Sequence, residues 1–142
     1  MKIGIGGDHA GFDLKLKVIN YLTEKGHEVH DFGPYNTDSV DYPDFVHPLA
    51  KSIEDKSNAL GILICGSGNG VCMTANKYKT VRAGLCWEPE LAALTRQHND
   101  ANVLCMPARF ITDLVGLEIV KAFVESEFEG GRHQRRVDKI SC

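Results

Sequence analysis

Strand-like and helix-like stretches alternate from one end of this 142-residue chain to the other. That alternation predicts an α/β fold with a parallel sheet covered by helices on both faces, because parallel strands need a crossover connection between them. Two further observations agree. The strand-like runs are short, apolar and rich in β-branched residues, as in strands buried on both faces. Glycine, proline and asparagine clusters punctuate the junctions, and no repeat, linker or low-complexity segment interrupts the pattern.

Taken in order, 2–6 reads as a first strand and 11–25 as a helix with Phe12, Leu16 and Ile19 on one face and Gly26 as its stop. A second strand at 27–31 leads into a loop through Gly33-Pro34-Tyr35-Asn36. The next helix spans 43–56, with Phe45, Leu49 and Ile53 four apart. Strand 61–65 feeds helix 70–77, strand 81–86 feeds helix 89–98, and strand 103–106 precedes a last long helix at 114–128 carrying Leu117, Val120, Val124 and Phe128. Five strands and their crossovers make one doubly wound, three-layer α/β/α, Rossmann-like domain over residues 1–142.

Composition narrows the function. Hydrophobic residues make up 43% and charged residues 25%, ordinary values for a soluble globular protein. A net charge of −3 gives no reason to expect nucleic-acid binding, and no stretch approaches the ~20 apolar residues of a membrane span. The chain opens directly on a strand-like run with no signal-peptide pattern. Five cysteines, at 65, 72, 86, 105 and 142, form no Cys-x-x-Cys pair, which speaks against zinc and dithiol chemistry. They suit a reducing cytoplasm, with Cys72, Cys86 and Cys105 read as small buried hydrophobes.

In parallel sheets ligands bind beyond the carboxyl ends of the strands. The residues following each strand are Asp8-His9, Cys65 with its glycines, Trp87-Glu88 and Pro107-Ala108-Arg109; the helix after strand four ends in His98-Asn99-Asp100. We expect these polar, reactive side chains on one rim, the arrangement of an enzyme. The most informative is Cys65, which opens Cys65-Gly66-Ser67-Gly68-Asn69-Gly70 at a strand-to-helix junction. Amides at a helix start favour negative charge, so the loop pairs a thiol that can act as base or nucleophile with donors for an oxyanion.

Familiar glycine loops fail on spacing. A dinucleotide fingerprint needs G-x-G-x-x-G, whereas the glycines here stand at 66, 68 and 70, and His9 occupies the third glycine position after Gly4 and Gly6. A P-loop needs its second glycine where Val71 stands. A cysteine phosphatase needs an arginine there, to clamp the phosphoryl group.

Several separate segments together resemble the type B ribose-5-phosphate isomerases, a family that includes allose- and galactose-6-phosphate isomerases. They are 7–11 (GDHAG), 41–43 (DYP), 65–70 (CGSGNG), 75–77 (ANK), 96–100 (RQHND) and 129–136 (EGGRHQRR). The match runs from residue 2 to about 140 in the same order, with Ser67 where threonine is frequent and Gly7 where a larger small residue is common. The resemblance implies a metal-free, cofactor-free interconversion of D-ribose 5-phosphate and D-ribulose 5-phosphate through a cis-enediolate.

By that resemblance Cys65 is the base that moves the proton between C1 and C2. The branch of the family that uses glutamate would carry it at Val71, which takes no proton. The loop Gly66, Ser67, Gly68, Asn69 and Gly70 would hold the enediolate oxygen, where losing one donor typically costs on the order of 3–4 kcal/mol. His98 matches the residue that opens the sugar ring, a task suited to imidazole near pH 7. Taken alone, a histidine at a helix end is a cap for carbonyls. Asn99, Asp8 and Tyr42 match sugar contacts, and His9, Arg109, Arg132 and Arg136 match phosphate contacts. Arg132 and Arg136 are four apart, on one face of any helical turn, with Arg135 and His133 read as bystanders. The resemblance further implies a homodimer, or a homotetramer of paired dimers, whose active sites are shared between subunits.

Overall fold

Five parallel strands in the order β2-β1-β3-β5-β4 form the central sheet of the computed structural model, which describes residues 1–141. Cys142 lies outside them. The strands are β1 (Lys2–Gly7), β2 (Glu28–Asp31), β3 (Leu60–Cys65), β4 (Ala83–Leu85) and β5 (Val103–Pro107). The helices are α1 (Phe12–Glu24), α2 (Pro43–Glu54), α3 (Asn69–Ala75), α4 (Pro89–Asn99), α5 (Asp113–Glu125) and α6 (Arg132–Val137). No helix among the described residues is long and apolar enough to cross a membrane.

Alternation along the strands supplies two cores. Ile3, Ile5, Ile62, Ile64, Leu104 and Met106 pack with Leu14, Val18 and Leu22 of α1 and with Ile119, Val120 and Phe123 of α5. Leu63, Cys65, Val103 and Cys105 point the other way, onto Val46, Leu49, Ala50 and Ile53 of α2 and Val71 and Ala75 of α3. This is the expected three-layer arrangement.

Several boundaries differ from the sequence reading because side chains intervene. The 81–86 strand shrinks to Ala83–Leu85, since Arg82 N–H donates to Asn102 Oδ1 at 2.7 Å instead of joining a ladder. Helix α3 stops at Ala75, where the Asn76 side chain pairs with both the N–H and the C=O of Ala83 at 2.9 and 3.0 Å. Helix α5 ends at Glu125, as Ser126 turns extended and its hydroxyl donates to Ala122 O at 2.7 Å. The buried stripe of α1 is Leu14, Val18 and Leu22; Leu16 is exposed and Phe12 and Ile19 are half-buried.

The same stripe buries Lys15, 1% exposed, whose ammonium donates to Asp31 Oδ1 at 2.7 Å and to Pro34 O at 2.5 Å. This pins the loop after β2 to the first crossover helix.

Candidate active site

From β1 the chain crosses outward to β2, then returns to place β3 on the other side of β1. The carboxyl ends of β1 and β3 therefore flank a topological switch point, the usual crevice of a doubly wound sheet. Asp8 and Cys65 follow directly from those two ends, and Arg109 follows β5 on the far side of β3.

The 7–11 segment is shaped by a close backbone approach. Asp8 N–H donates to Ile64 O at 3.1 Å, and a Cβ on Gly7 or Gly11 would stand 1.9 or 2.3 Å from that same oxygen. Asp8 Oδ1 caps the 3-10 turn His9–Gly11 by accepting from the amides of Ala10 and Gly11 at 2.9 and 3.3 Å. His9 Nδ1 accepts the Val40 amide at 3.2 Å, which assigns the proton of the neutral ring to Nε2. That bond ties the loop leading into α2, and with it Tyr42, to the rim.

Cys65 is 4% exposed and its sulfur accepts the Gly68 N–H at 3.1 Å. Gly68 reaches that geometry at φ +76°, a left-handed conformation open to glycine. The loop is fastened to the chain after β5 by Ala108 N–H to Cys65 O at 2.8 Å and Arg109 N–H to Gly66 O at 3.1 Å. Among the described residues, the amides of Gly66, Ser67 and Gly70 donate to no protein acceptor. The exposed Ser67 hydroxyl accepts the Asn69 N–H at 3.4 Å.

Two side chains crowd this loop. Arg109 lies over Gly66, where a Cβ would come within 3.2 Å of Nη1, and Tyr42 lies over Gly70, where a Cβ would come within 2.4 Å of the ring. Both glycines thus make room for neighbours as well as for backbone geometry. A cavity of about 370 Å³ beside Ser67 and Asn69 is walled by Leu85, Trp87, Pro107 and Phe110. The other thiols do not share this setting. Burial pushes Cys86 up to about 12 and Cys105 well above the ordinary thiol range, whereas the Cys105 thiol, by hydrogen bonding, lowers Cys72.

His98 and Asn99 are elsewhere, and the expectation of a single rim is corrected here. Helix α4 returns the chain from the carboxyl end of β4 to the amino end of the parallel strand β5, so its last turn sits at the opposite edge from Cys65. Arg132 and Arg136 share that edge, exposed on α6, with the Arg136 guanidinium donating to Arg132 O at 3.3 Å. Asn99 also borders a cavity of about 700 Å³ lined by residues that include Lys77, Tyr78 and Arg82. The candidate residues therefore fall into two groups at opposite edges of the sheet.

His133, read from the sequence as a bystander, packs directly against His98. Its ring stacks on that of His98, with centroids 4.2 Å apart and planes 10° from parallel. Glu129 Oε2 lies 3.8 Å from His98 Nε2 and 3.7 Å from His133 Nε2. Burial, then the neighbouring His98 and Arg132, hold the His133 imidazole below the usual histidine range. These three donor atoms all lie within 4.8 Å of one another, so among the described residues this cluster has the ligand types of a metal site. The sequence reading missed Glu129 and His133 as partners of His98, because only the packing of α6 on α4 brings the three together.

A parallel sheet with a thiol, unengaged amides and the Arg109 guanidinium beside its switch point defines a small doubly wound α/β domain with a reactive, anion-favouring crevice. Comparison with known proteins makes this specific. Residues 3–140 match the Ribose/Galactose Isomerase family. The chain is 48% identical over 139 residues to the probable ribose-5-phosphate isomerase B of Mycoplasma pneumoniae, covering 97% of this chain and 91% of that one. The structure of Clostridium thermocellum ribose-5-phosphate isomerase B superposes with a TM-score of 0.97 at 44% identity, over 99% of this chain and 95% of that one. The Mycoplasma genitalium ribose-5-phosphate isomerase B with bound ribulose-5-phosphate superposes at 0.95 with 50% identity, over 98% and 93%. The chain belongs to the ribose/galactose isomerase family, and it is an isomerase.

Proposed function

We propose that this isomerase interconverts D-ribose 5-phosphate and D-ribulose 5-phosphate, with Cys65 as the base. The carrying observation is the pairing of the Cys65 sulfur with the unengaged amides of Gly66, Ser67 and Gly70 at one strand end. In the open-chain aldose the Cys65 thiolate takes the C2 proton. The electron pair moves into a C1–C2 double bond, and the carbonyl oxygen becomes an enediolate oxygen held by the free amides. Returning the proton to C1, with the O2 proton transferred to O1, completes the ketose. Amides aimed at developing charge lower the barrier because they need not reorganise.

Ring opening is assigned to His98 of the partner subunit, with Asn99 beside it. The separation of the two groups on one subunit, each taken as a half-site, supports a two-fold assembly, a homodimer or a homotetramer, in which the last turn of α4 meets the partner's Cys65 loop. Asp8 and Tyr42 contact sugar hydroxyls; His9, Arg109, Arg132 and Arg136 hold phosphate. Free thiols at Cys65, Cys72, Cys86 and Cys105 support a cytoplasmic setting.

Deuterium wash-in from D2O into ribose 5-phosphate tests the assignment. The Cys65→Ala variant should exchange about 10²–10⁴-fold more slowly than wild type, the range that a general base contributes. Exchange at the wild-type rate would place the base elsewhere. Comparing kcat/KM for five- and six-carbon sugar phosphates tests the substrate, and a preference for the six-carbon sugars would overturn it.

A further inference from the structure

The edge of the sheet opposite Cys65 holds an arrangement that proton transfer does not explain. His98 and His133 turn their Nε2 atoms toward the same carboxylate oxygen, yet at 3.8 and 3.7 Å neither is within hydrogen-bonding distance of it. Among the described residues, neither ring has any other hydrogen-bond partner. Three potential ligand atoms thus face a common gap.

The backbone fixes all three. Glu129 N–H donates to Gln97 O at 3.0 Å, joining the segment before α6 to the last turn of α4. Gly130 and Gly131, at φ +63° and +57°, then reverse the chain so that His133 returns over His98. His133 is 13% exposed while His98 is 38% exposed, so one ligand is held firmly and the other is free to adjust.

We propose that His98, Glu129 and His133 form a binding site for a first-row divalent cation of zinc type, and that its occupancy silences the isomerase. Two imidazoles and one carboxylate are a common three-ligand set for zinc, leaving the fourth position to water. A tetrahedral centre with bonds of about 2.1 Å needs ligand atoms about 3.4 Å apart, so the two edges to Glu129 close by about 0.3–0.4 Å and the edge between the two imidazoles adjusts as well. The stacked rings must also splay for their lone pairs to converge, a motion the more exposed His98 can make. Arg132 and Arg136 oppose a cation electrostatically, so affinity falls well below that of a buried structural zinc site. The inhibitory part rests on His98 opening the sugar ring, because a metal-bound Nε2 can no longer exchange a proton. The binding part stands without that role.

Co2+ and Zn2+ are the probes, added to the intact metal-free enzyme. Co2+ should bind with one equivalent per subunit and give the visible absorption of a four-coordinate nitrogen and oxygen site. His133→Ala and Glu129→Gln should each weaken binding at least about tenfold, since even outer-shell partners of a metal are worth 10–100-fold. Cys65→Ala should leave the spectrum unchanged. A sulfur-to-cobalt charge-transfer band that disappears in Cys65→Ala would put the cation on the thiol and overturn the site. So would identical spectra from wild type and the His133→Ala/Glu129→Gln double variant.

Zn2+ should then inhibit the wild-type reaction and inhibit both single variants at least about tenfold less effectively. Cation binding without inhibition would overturn the regulatory part alone. Absence of ribose 5-phosphate turnover in the metal-free enzyme would instead count against the substrate assignment, leaving the spectroscopic result intact.

Discussion

Replacing Gly68 by alanine probes the left-handed turn on which the Cys65 loop is built. Gly68 has φ +76°, and an alanine Cβ would stand 2.3 Å from Leu85 Cδ1 and 3.1 Å from the backbone carbon of Met106. The left-handed conformation costs an L-residue about 1–2 kcal/mol. Leu85 can swing away, but Met106 belongs to β5 and cannot, so overpacking adds about 1–3 kcal/mol. Gly26 supplies the control: its φ is +85°, yet a Cβ there meets nothing within 4 Å. Gly26→Ala should therefore lose only about 1–2 kcal/mol, whereas Gly68→Ala should lose about 2–5 kcal/mol. Urea unfolding at equal subunit concentration measures both. For a chain of this length, a loss near 3 kcal/mol corresponds to a Tm lowered by about 10 °C. Gly68→Ala should also lower kcat, because the amide given to Cys65 Sγ moves, while Gly26→Ala should not. Equal stability losses in the two variants would refute the claim that close approach to β5 sets the loop.

Two more outcomes follow from the placement of charges and half-sites. Mixing the inactive Cys65→Ala and His98→Ala proteins should restore about one quarter of wild-type activity, since half of randomly formed two-fold dimers are mixed and each holds one intact site. No recovery after verified subunit exchange would mean that both residues act from one chain. Lys15→Ala should destabilise the protein by about 3–5 kcal/mol in chemical denaturation, because Asp31 loses its buried partner, and a loss below about 1 kcal/mol would show that the pair adds little.

The order of strands and helices was legible because apolar runs and glycine junctions act locally: each strand and crossover declares itself within a few residues. The Cys65 loop was legible for the same reason, as its chemistry depends on neighbours in the chain. Exact ends were not, since β4 and α3 are cut short by Arg82 and Asn76 bonding across elements.

The amino-acid sequence by itself determined the α/β layering, the thiol at a strand end and the family resemblance carried by the 7–11, 65–70 and 129–136 segments. Tertiary structure alone decided which edge each group occupies. A crossover helix must run antiparallel to the strands it joins, so His98 at its end is carried away from Cys65, and the packing of α6 on α4 sets His133 and Glu129 beside it. No local pattern encodes that separation, because it arises from the direction in which whole elements cross the sheet.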